Sequence, residues 1–307
     1  MEQHLAQAGA AARGAVRAGW IGAGKMGAPM ARHLRAAGVD LAVSEPDPAA
    51  REALRLAGAT VAADLSVQAG RDIVFATLPN DTALRAVVLG TPHQAGLAGR
   101  LDRGAVFVEM STVSPDCSAE VADALSTFGI RYVRAPVSGS TATAEQAALT
   151  VLASGDAEGW DAALPLVRAF SSRQFFLGSG EEARFMKLVL NTLVGANAAI
   201  MAEALSLGAS GGLSNEKMVE VICESAVASP LFRYKSKMLA TGDYTPAFTI
   251  QQMIKDFTLI SDAGRANGVP LLTAGLILEL YRAAANAGLD QDDFFALVKW
   301  HSGISAQ

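Results

Sequence analysis

The sequence predicts an α/β protein: a doubly wound, mostly parallel sheet, then an all-α second half joined to it by one long helix. Three observations carry this reading. Short apolar runs alternate with helical patterns from Ala15 to about Leu177, and strand-like runs stop after Gly180. The first apolar run also feeds a Gly-x-Gly-x-x-Gly turn at Gly22, Gly24 and Gly27. A chain of 307 residues has the length of about two domains, expected over residues 17–179 and 180–307, with residues 1–16 as a loose Ala-, Gly- and Gln-rich arm.

The first strand, Ala18–Ile21, runs into the glycine turn. Gly22 permits the tight turn, Gly24 lets the backbone approach a pyrophosphate, and Gly27 lets helix and strand pack closely. Ala23, Lys25 and Met26 fill the intervening positions of the same cofactor-binding turn. The helix that follows, Ala28–Ala37, offers unpaired N–H groups and a positive dipole end to phosphates. Further strands are expected at Asp40–Ser44, Ile73–Thr77, Val106–Glu109, Tyr132–Ala135, Leu149–Ala153 and Gln174–Leu177. Helices are expected between them at Pro48–Ala57, Thr82–Leu89, Pro115–Thr127 and Trp160–Phe170. Apolar strands separated by such helices pair in parallel through right-handed crossovers. This doubly wound arrangement is the Rossmann context that the glycine turn requires.

The second half reads as helices at Glu182–Ser210, Ser214–Ser225, Leu231–Ala240, Ile250–Asn267, Pro270–Ala287 and Asp293–His301. Gly211, Gly212 and Gly268 sit where C-caps fall, and Ser214 and Asp290 resemble N-caps. The apolar run from Leu188 to Ala209 is interrupted by Asn191, Asn197 and Glu203, which points to a buried helix and not a membrane span.

Composition narrows the function classes. Apolar residues make up 51% and charged residues 18%, which excludes a disordered chain. A net charge of −5 without a basic block argues against a nucleic-acid partner. Cys117 and Cys223 have no metal or redox spacing and read as reduced thiols of a cytoplasmic protein. No metal site is expected, since His4, His33, His93 and His301 have no ligand spacing. Glu45 closes the second strand, 18 residues beyond Gly27, and no Arg follows it directly. A carboxylate there can hydrogen-bond a ribose 2′-hydroxyl and repels a 2′-phosphate, so NAD is expected over NADP.

Five separated motifs, from Val16 to about Ser302, give the chain a resemblance to the β-hydroxyacid dehydrogenase family, which includes 3-hydroxyisobutyrate dehydrogenase and tartronate semialdehyde reductase. The first is the glycine turn. The second is Leu78-Pro79-Asn80, which the resemblance places along the cofactor. The third is Glu109-Met110-Ser111-Thr112-Val113-Ser114-Pro115, where Thr112 would lie beside the nicotinamide end; capping the helix at Pro115 is its structural alternative. The fourth, Ala135-Pro136-Val137-Ser138-Gly139-Ser140, would bind a substrate carboxylate through Ser138, Gly139 and Ser140.

The fifth is Lys187 with Asn191, four residues apart and so on one helix face. Apolar neighbours from Phe185 to Leu190 suggest desolvation, which lowers a lysine pKa toward the range of a general base. Spacing alone fits a snorkelling lysine equally well. The resemblance assigns Lys187 and Asn191 to catalysis, and it implies that Lys255, beside Asp256, reaches the cofactor. The chain departs from the family pattern at Arg134 (usually Asp), at Ser140 (commonly Gly), and at Glu181 and Ala183 (often glycines). The implied activity is NAD-dependent interconversion of a small β-hydroxy acid with its semialdehyde or keto acid, in a homodimer or homotetramer. An imine reductase of the same architecture and a non-catalytic dehydrogenase-like binding module are the alternatives.

Overall fold

The computed structural model describes residues 16–305, so the expected arm lies outside it except for Val16. The chain divides into two compact units, one running to Lys187 and the other from Leu188.

The first unit is built on β1 (Arg17–Ile21), β2 (Asp40–Ser44), β3 (Thr60–Ala62) and β4 (Ile73–Ala76). A small separate hairpin, β5 (Gly90–Thr91) with β6 (Gln94–Ala95), follows. Next come β7 (Val106–Glu109), β8 (Arg131–Arg134), β9 (Val137–Ser138), β10 (Leu149–Gly155) and β11 (Ser171–Phe176). The main sheet has the order β11-β10-β8-β7-β4-β1-β2-β3, with β9 paired to β10. Strands β1 to β3 wind one way and β4, β7 and β8 the other. The order therefore reverses between β1 and β4, the point where such sheets open a crevice at their carboxyl ends.

Central strands β4 and β7 are buried at every residue, which is why they read as continuous apolar runs without alternation. Trp20, Phe75 and Phe170 pack together on one face, with ring centroids 5.3 to 5.9 Å apart. Phe107 and Tyr132 stack on the other face at 5.9 Å.

Several features of the first unit differ from the sequence reading. Strand β10 runs antiparallel to β8 and to β9, because only the five-residue helix Thr141–Glu145 lies between them, too short to carry the chain back for a parallel crossover. The helix expected from Trp160 starts at Ala157, where Asp156 accepts the N–H of Gly159. Strand β3, only three residues long at the sheet edge, leaves no periodic signal.

In the second unit, helices Asn215–Glu224, Pro230–Thr241, Ile250–Ala266, Leu272–Ala284 and Leu297–Ser305 gather around Glu182–Ser210, most of which lies in this unit. Ser214, Ser229 and Thr249 cap three of them. Asp290 is not an N-cap; it follows the π turn Ala285–Leu289 as its C-cap. The chain leaves Leu272–Ala284 through a π turn in which Gly288 takes a left-handed φ of 87°, and the cap is Asp293, which accepts the N–H of Phe295. The long helix carries Gly195 where a Cβ would lie 2.1 Å from the Phe257 ring, so close packing sets that residue. By length and composition this helix could span a membrane, yet 44% of its most apolar window is buried.

Candidate active site

The glycine turn closes the carboxyl end of β1. At Gly22, φ is +82°, and a Cβ there would sit 2.3 Å from the Thr77 carbonyl oxygen. At Gly27, a Cβ would fall 2.2 Å from the Gly22 oxygen and 2.3 Å from Thr77 Oγ1. Thr77 Oγ1 donates to the Gly22 carbonyl at 2.5 Å, and Trp20 Nε1 donates to the same carbonyl at 3.0 Å. The turn is thus locked from beneath by the neighbouring strand. A Cβ on Gly24, by contrast, would meet nothing within 4 Å.

The helix Gly27–Ala36 starts at Met26 with no side-chain cap. The five other α-helices between residues 48 and 167 are capped by Asp47, Asn80, Ser114, Ser140 and Asp156. The first-turn N–H groups of Gly27–Ala36 are the ones left without a capping side chain, as a phosphate-binding helix start requires. Together with the open face at Gly24, this fits a dinucleotide pyrophosphate.

Glu45 is buried, and both of its carboxylate oxygens accept backbone N–H groups: Oε2 from Ala23 at 2.5 Å and Oε1 from Asp47 at 2.8 Å. The carboxylate is therefore fastened to the glycine turn itself, with further lone pairs left for a hydroxyl. One neighbour escaped the sequence reading. Arg51, one turn into the next helix, folds back and donates to the carbonyls of Glu45 at 2.6 Å and Pro46 at 2.7 Å. Six residues separate Arg51 from Glu45 in sequence, and only the helical turn brings it there.

At the ends of β4 and β7, two loops are stitched together. Leu78 N–H donates to Ser111 Oγ at 2.6 Å. Asn80 caps the helix Asp81–Leu89 through Oδ1, at 2.9 Å from the Ala83 nitrogen. Ser114, not Thr112, caps Pro115–Thr127, so the structural alternative for Thr112 falls away. In the fourth motif, Ser138 pairs with Thr150 across β9 and β10, and Gly139 adopts φ +144°. Ser140 is committed to its own helix: its N–H donates to Thr143 Oγ1 at 2.7 Å, and its hydroxyl accepts the Thr143 N–H at 3.3 Å. The Ser140 N–H is consequently not a spare donor for a substrate anion.

Lys187 lies in the second turn of Glu182–Ser210 and is partly buried. Its sequence neighbours do not form one apolar jacket, because successive helical residues point in different directions: Leu188 is buried, while Phe185 and Val189 are exposed. The helix start is fixed instead by polar contacts. Ser154 Oγ donates to Gly180 O at 2.8 Å and accepts the Ala183 N–H at 3.1 Å. Arg134 Nε donates to Glu181 Oε1 at 2.7 Å, so two departures from the family pattern are one ion pair. Arg184, 1% exposed, pairs with buried Glu109 and donates to Ser111 O at 2.8 Å. Burial alone would lower the Arg184 pKa, but Glu109 and Tyr132 hold it above its ordinary value.

In the second unit, Asn191 Nδ2 donates to Asp256 Oδ2 at 2.5 Å, and Lys255 Nζ lies 3.0 Å from Asp256 Oδ1. Asp256 is 1% exposed. It orients both the Asn191 amide and the Lys255 ammonium, a linkage across 65 residues that spacing could not reveal.

A family profile described as the NAD binding domain of 6-phosphogluconate dehydrogenase matches residues 17–178. A second, described as NAD-binding of NADP-dependent 3-hydroxyisobutyrate dehydrogenase, matches residues 180–301. The chain is 32% identical to 2-(hydroxymethyl)glutarate dehydrogenase of Eubacterium barkeri, covering 94% of this chain and 97% of that one. It is 28% identical to L-threonate dehydrogenase of Escherichia coli K12, over 94% of this chain and 95% of the relative. Among solved structures, 3-hydroxyisobutyrate dehydrogenase from Salmonella typhimurium superposes with a TM-score of 0.84 at 28% identity, covering 93% of this chain and 99% of that one.

Proposed function

The chain belongs to the β-hydroxyacid dehydrogenase family and is an NAD(P)-dependent oxidoreductase; from that premise we propose that it interconverts a small β-hydroxy acid with its semialdehyde or keto acid. When bound, the nicotinamide supplies the hydride acceptor or donor. In the oxidation direction Lys187, as the neutral amine, accepts the hydroxyl proton; in reduction its ammonium form donates one. Asn191 orients the substrate oxygen or the lysine, and the Ser138–Ser140 turn holds the carboxylate, chiefly through Ser138 and Gly139. The observation that carries this reading is the number of contacts fixing the turn before Lys187, from Ser154, Arg134 and Arg184. A proton-transfer group needs such fixed geometry.

Replacing Lys187 with Ala is expected to lower kcat by about 100-fold or more while NAD binding persists. Near-normal turnover would exclude the assignment. The substrate is to be sought in a panel of hydroxy acids followed by reduced-nicotinamide absorbance. The names of the relatives direct that panel first to 2-(hydroxymethyl)glutarate, L-threonate and 3-hydroxyisobutyrate.

Glu45 supports a preference for NAD(H), since its carboxylate is anchored where a ribose hydroxyl would be met, and the Arg51 guanidinium is engaged by two carbonyls. A tenfold higher kcat/KM with NADPH would overturn this. Along the long helix, Val189, Leu193, Ile200 and Leu207 form one exposed apolar face, each more than half exposed. A second copy of the chain covers that face in the proposed homodimer or homotetramer. A monomeric mass by light scattering would refute it. Two cysteines without a disulfide support a cytoplasmic setting, which cell fractionation tests.

A further inference from the structure

We propose that two ion pairs, Arg134–Glu181 and Arg184–Glu109, act together as a clasp that sets the axial position and rotation of Lys187; the proposal rests on the reading of Lys187 as the proton-transfer group. Both pairs join the beginning of the lysine helix to the sheet, and they do so on adjacent strands. Glu109 ends β7 and Arg134 ends β8, and these strands pair in parallel with Glu109 opposite Arg134. Their partners, Glu181 and Arg184, stand three residues apart, just before and within the first turn of Glu182–Ser210. A helix start tied at one point can still rotate about its axis. Tied at two points to neighbouring strands, it can neither rotate nor slide. Lys187 follows Arg184 by three residues, about one helical turn, and so inherits that constraint.

Tyr132 couples the two pairs. The Arg134 guanidinium lies 4.5 Å over its ring, and its hydroxyl accepts from Arg184 at 3.1 Å. Arg184 also reaches the loop at the end of β7: it donates to the Ser111 carbonyl at 2.8 Å, while the Ser111 N–H donates to Glu109 Oε1 at 2.8 Å. The residue after Ser111 is Thr112. One buried guanidinium therefore holds both the start of the lysine helix and the loop assigned to the nicotinamide end. A purely stabilising role explains this poorly. Buried ion pairs are often no more stabilising than apolar groups of the same volume, whereas their directional bonds fix one geometry. These four groups are positioning residues, since they act through Lys187.

The Arg134–Glu181 pair is the one to test first, because it is less buried than Arg184–Glu109, with side chains 9% and 18% exposed. Glu181→Gln and Arg134→Met are expected to lower kcat about tenfold. The KM for NAD should stay within about twofold, and kcat is read per folded molecule well below the thermal midpoint, since cutting a pair this buried also lowers stability. The reciprocal exchange, Arg134→Glu with Glu181→Arg, should recover much of the lost kcat. Turnover within about twofold of the parent in both single variants overturns the proposal. So does a loss of kcat that disappears once turnover is counted per folded molecule. Lys187→Ala measured in parallel separates this from the underlying reading. If that variant keeps normal turnover, the proton-transfer assignment fails, and amide exchange over residues 182–190 then decides the clasp alone. Faster exchange in Glu181→Gln supports the tether, and unchanged exchange removes it.

Discussion

Among the described residues, each unit carries one ion pair with both side chains almost fully buried, and the two are built alike. Arg184–Glu109 in the first unit is 1% and 0% exposed; Lys235–Asp293 in the second is 4% and 0% exposed. In both, the carboxylate also accepts backbone N–H groups: Glu109 from Ser111, and Asp293 from Phe295 at 3.1 Å and Ala247 at 3.3 Å. What differs is what they join. Arg184 ties a helix start to the loop before Thr112. Lys235 ties Pro230–Thr241 to the turn around Asp293, under the rings of Phe294 and Phe295, where none of the proposed site residues lies. Burial of a charge pair is thus no marker of function; the identity of the joined segments is.

The sharpest way to break this comparison is to cut both pairs. Arg184→Met and Lys235→Met each strand a buried carboxylate, at an expected cost of about 3–5 kcal/mol. For domains of this size, that is a fall of roughly 6–20 °C in unfolding midpoint. Calorimetry should find similar losses for the two. Turnover per folded molecule should separate them: strongly reduced for Arg184→Met and unchanged for Lys235→Met. Equal losses of kcat would abolish the distinction.

In both units, local elements and long-range ties differ in how far they are legible from sequence. The glycine turn, the apolar strands and most helix bounds are local: φ at Gly22, continuous burial along β4 and the Ser214 cap each leave a signature within a few residues. The ties that hold the proposed site do not. Arg184 meets Glu109 across 75 residues, Asn191 meets Asp256 across 65, and Arg134 meets Glu181 across 47. Charged residues at such separations look like ordinary surface charges in a sequence. Ser140 shows the converse, since its hydroxyl suggests a binding group while its bonds are those of a capping box. The antiparallel β10 was hidden because antiparallel and parallel strands carry the same apolar run.

Within the first unit, the glycine turn offers a second contrast. Gly27→Ala drives a Cβ to 2.2 Å from the Gly22 oxygen, so the turn or the helix must shift. Both thermal midpoint and NAD affinity should fall. Gly24→Ala meets no protein atom within 4 Å, so its unfolding free energy should hold within about 0.5 kcal/mol of the parent while the KM for NAD rises. A stability loss at Gly24 equal to that at Gly27 would mean that this face of the turn is not kept open for a ligand.

The smallest expected effect compares one buried ionisable group in each unit. Burial pushes the Cys117 thiol up from about 9 to about 12, with Asp81 adding to the shift. Burial pushes the Tyr244 phenol from 10 to about 12, with Asp293 adding to it. Both groups are neutral when protonated, so the native state keeps a proton that the unfolded chain releases. Stability must then fall as pH rises, beginning near pH 9 for Cys117 and near pH 10 for Tyr244. Cys117→Ala and Tyr244→Phe each remove one of these contributions. Denaturant unfolding at pH 8 and pH 10.5 should find a flatter pH dependence for Cys117→Ala than for the parent. Tyr244→Phe should differ less, because its window opens one pH unit later. A parent and a Cys117→Ala variant with the same slope would mean that the thiol ionises in the native state as readily as in the unfolded chain.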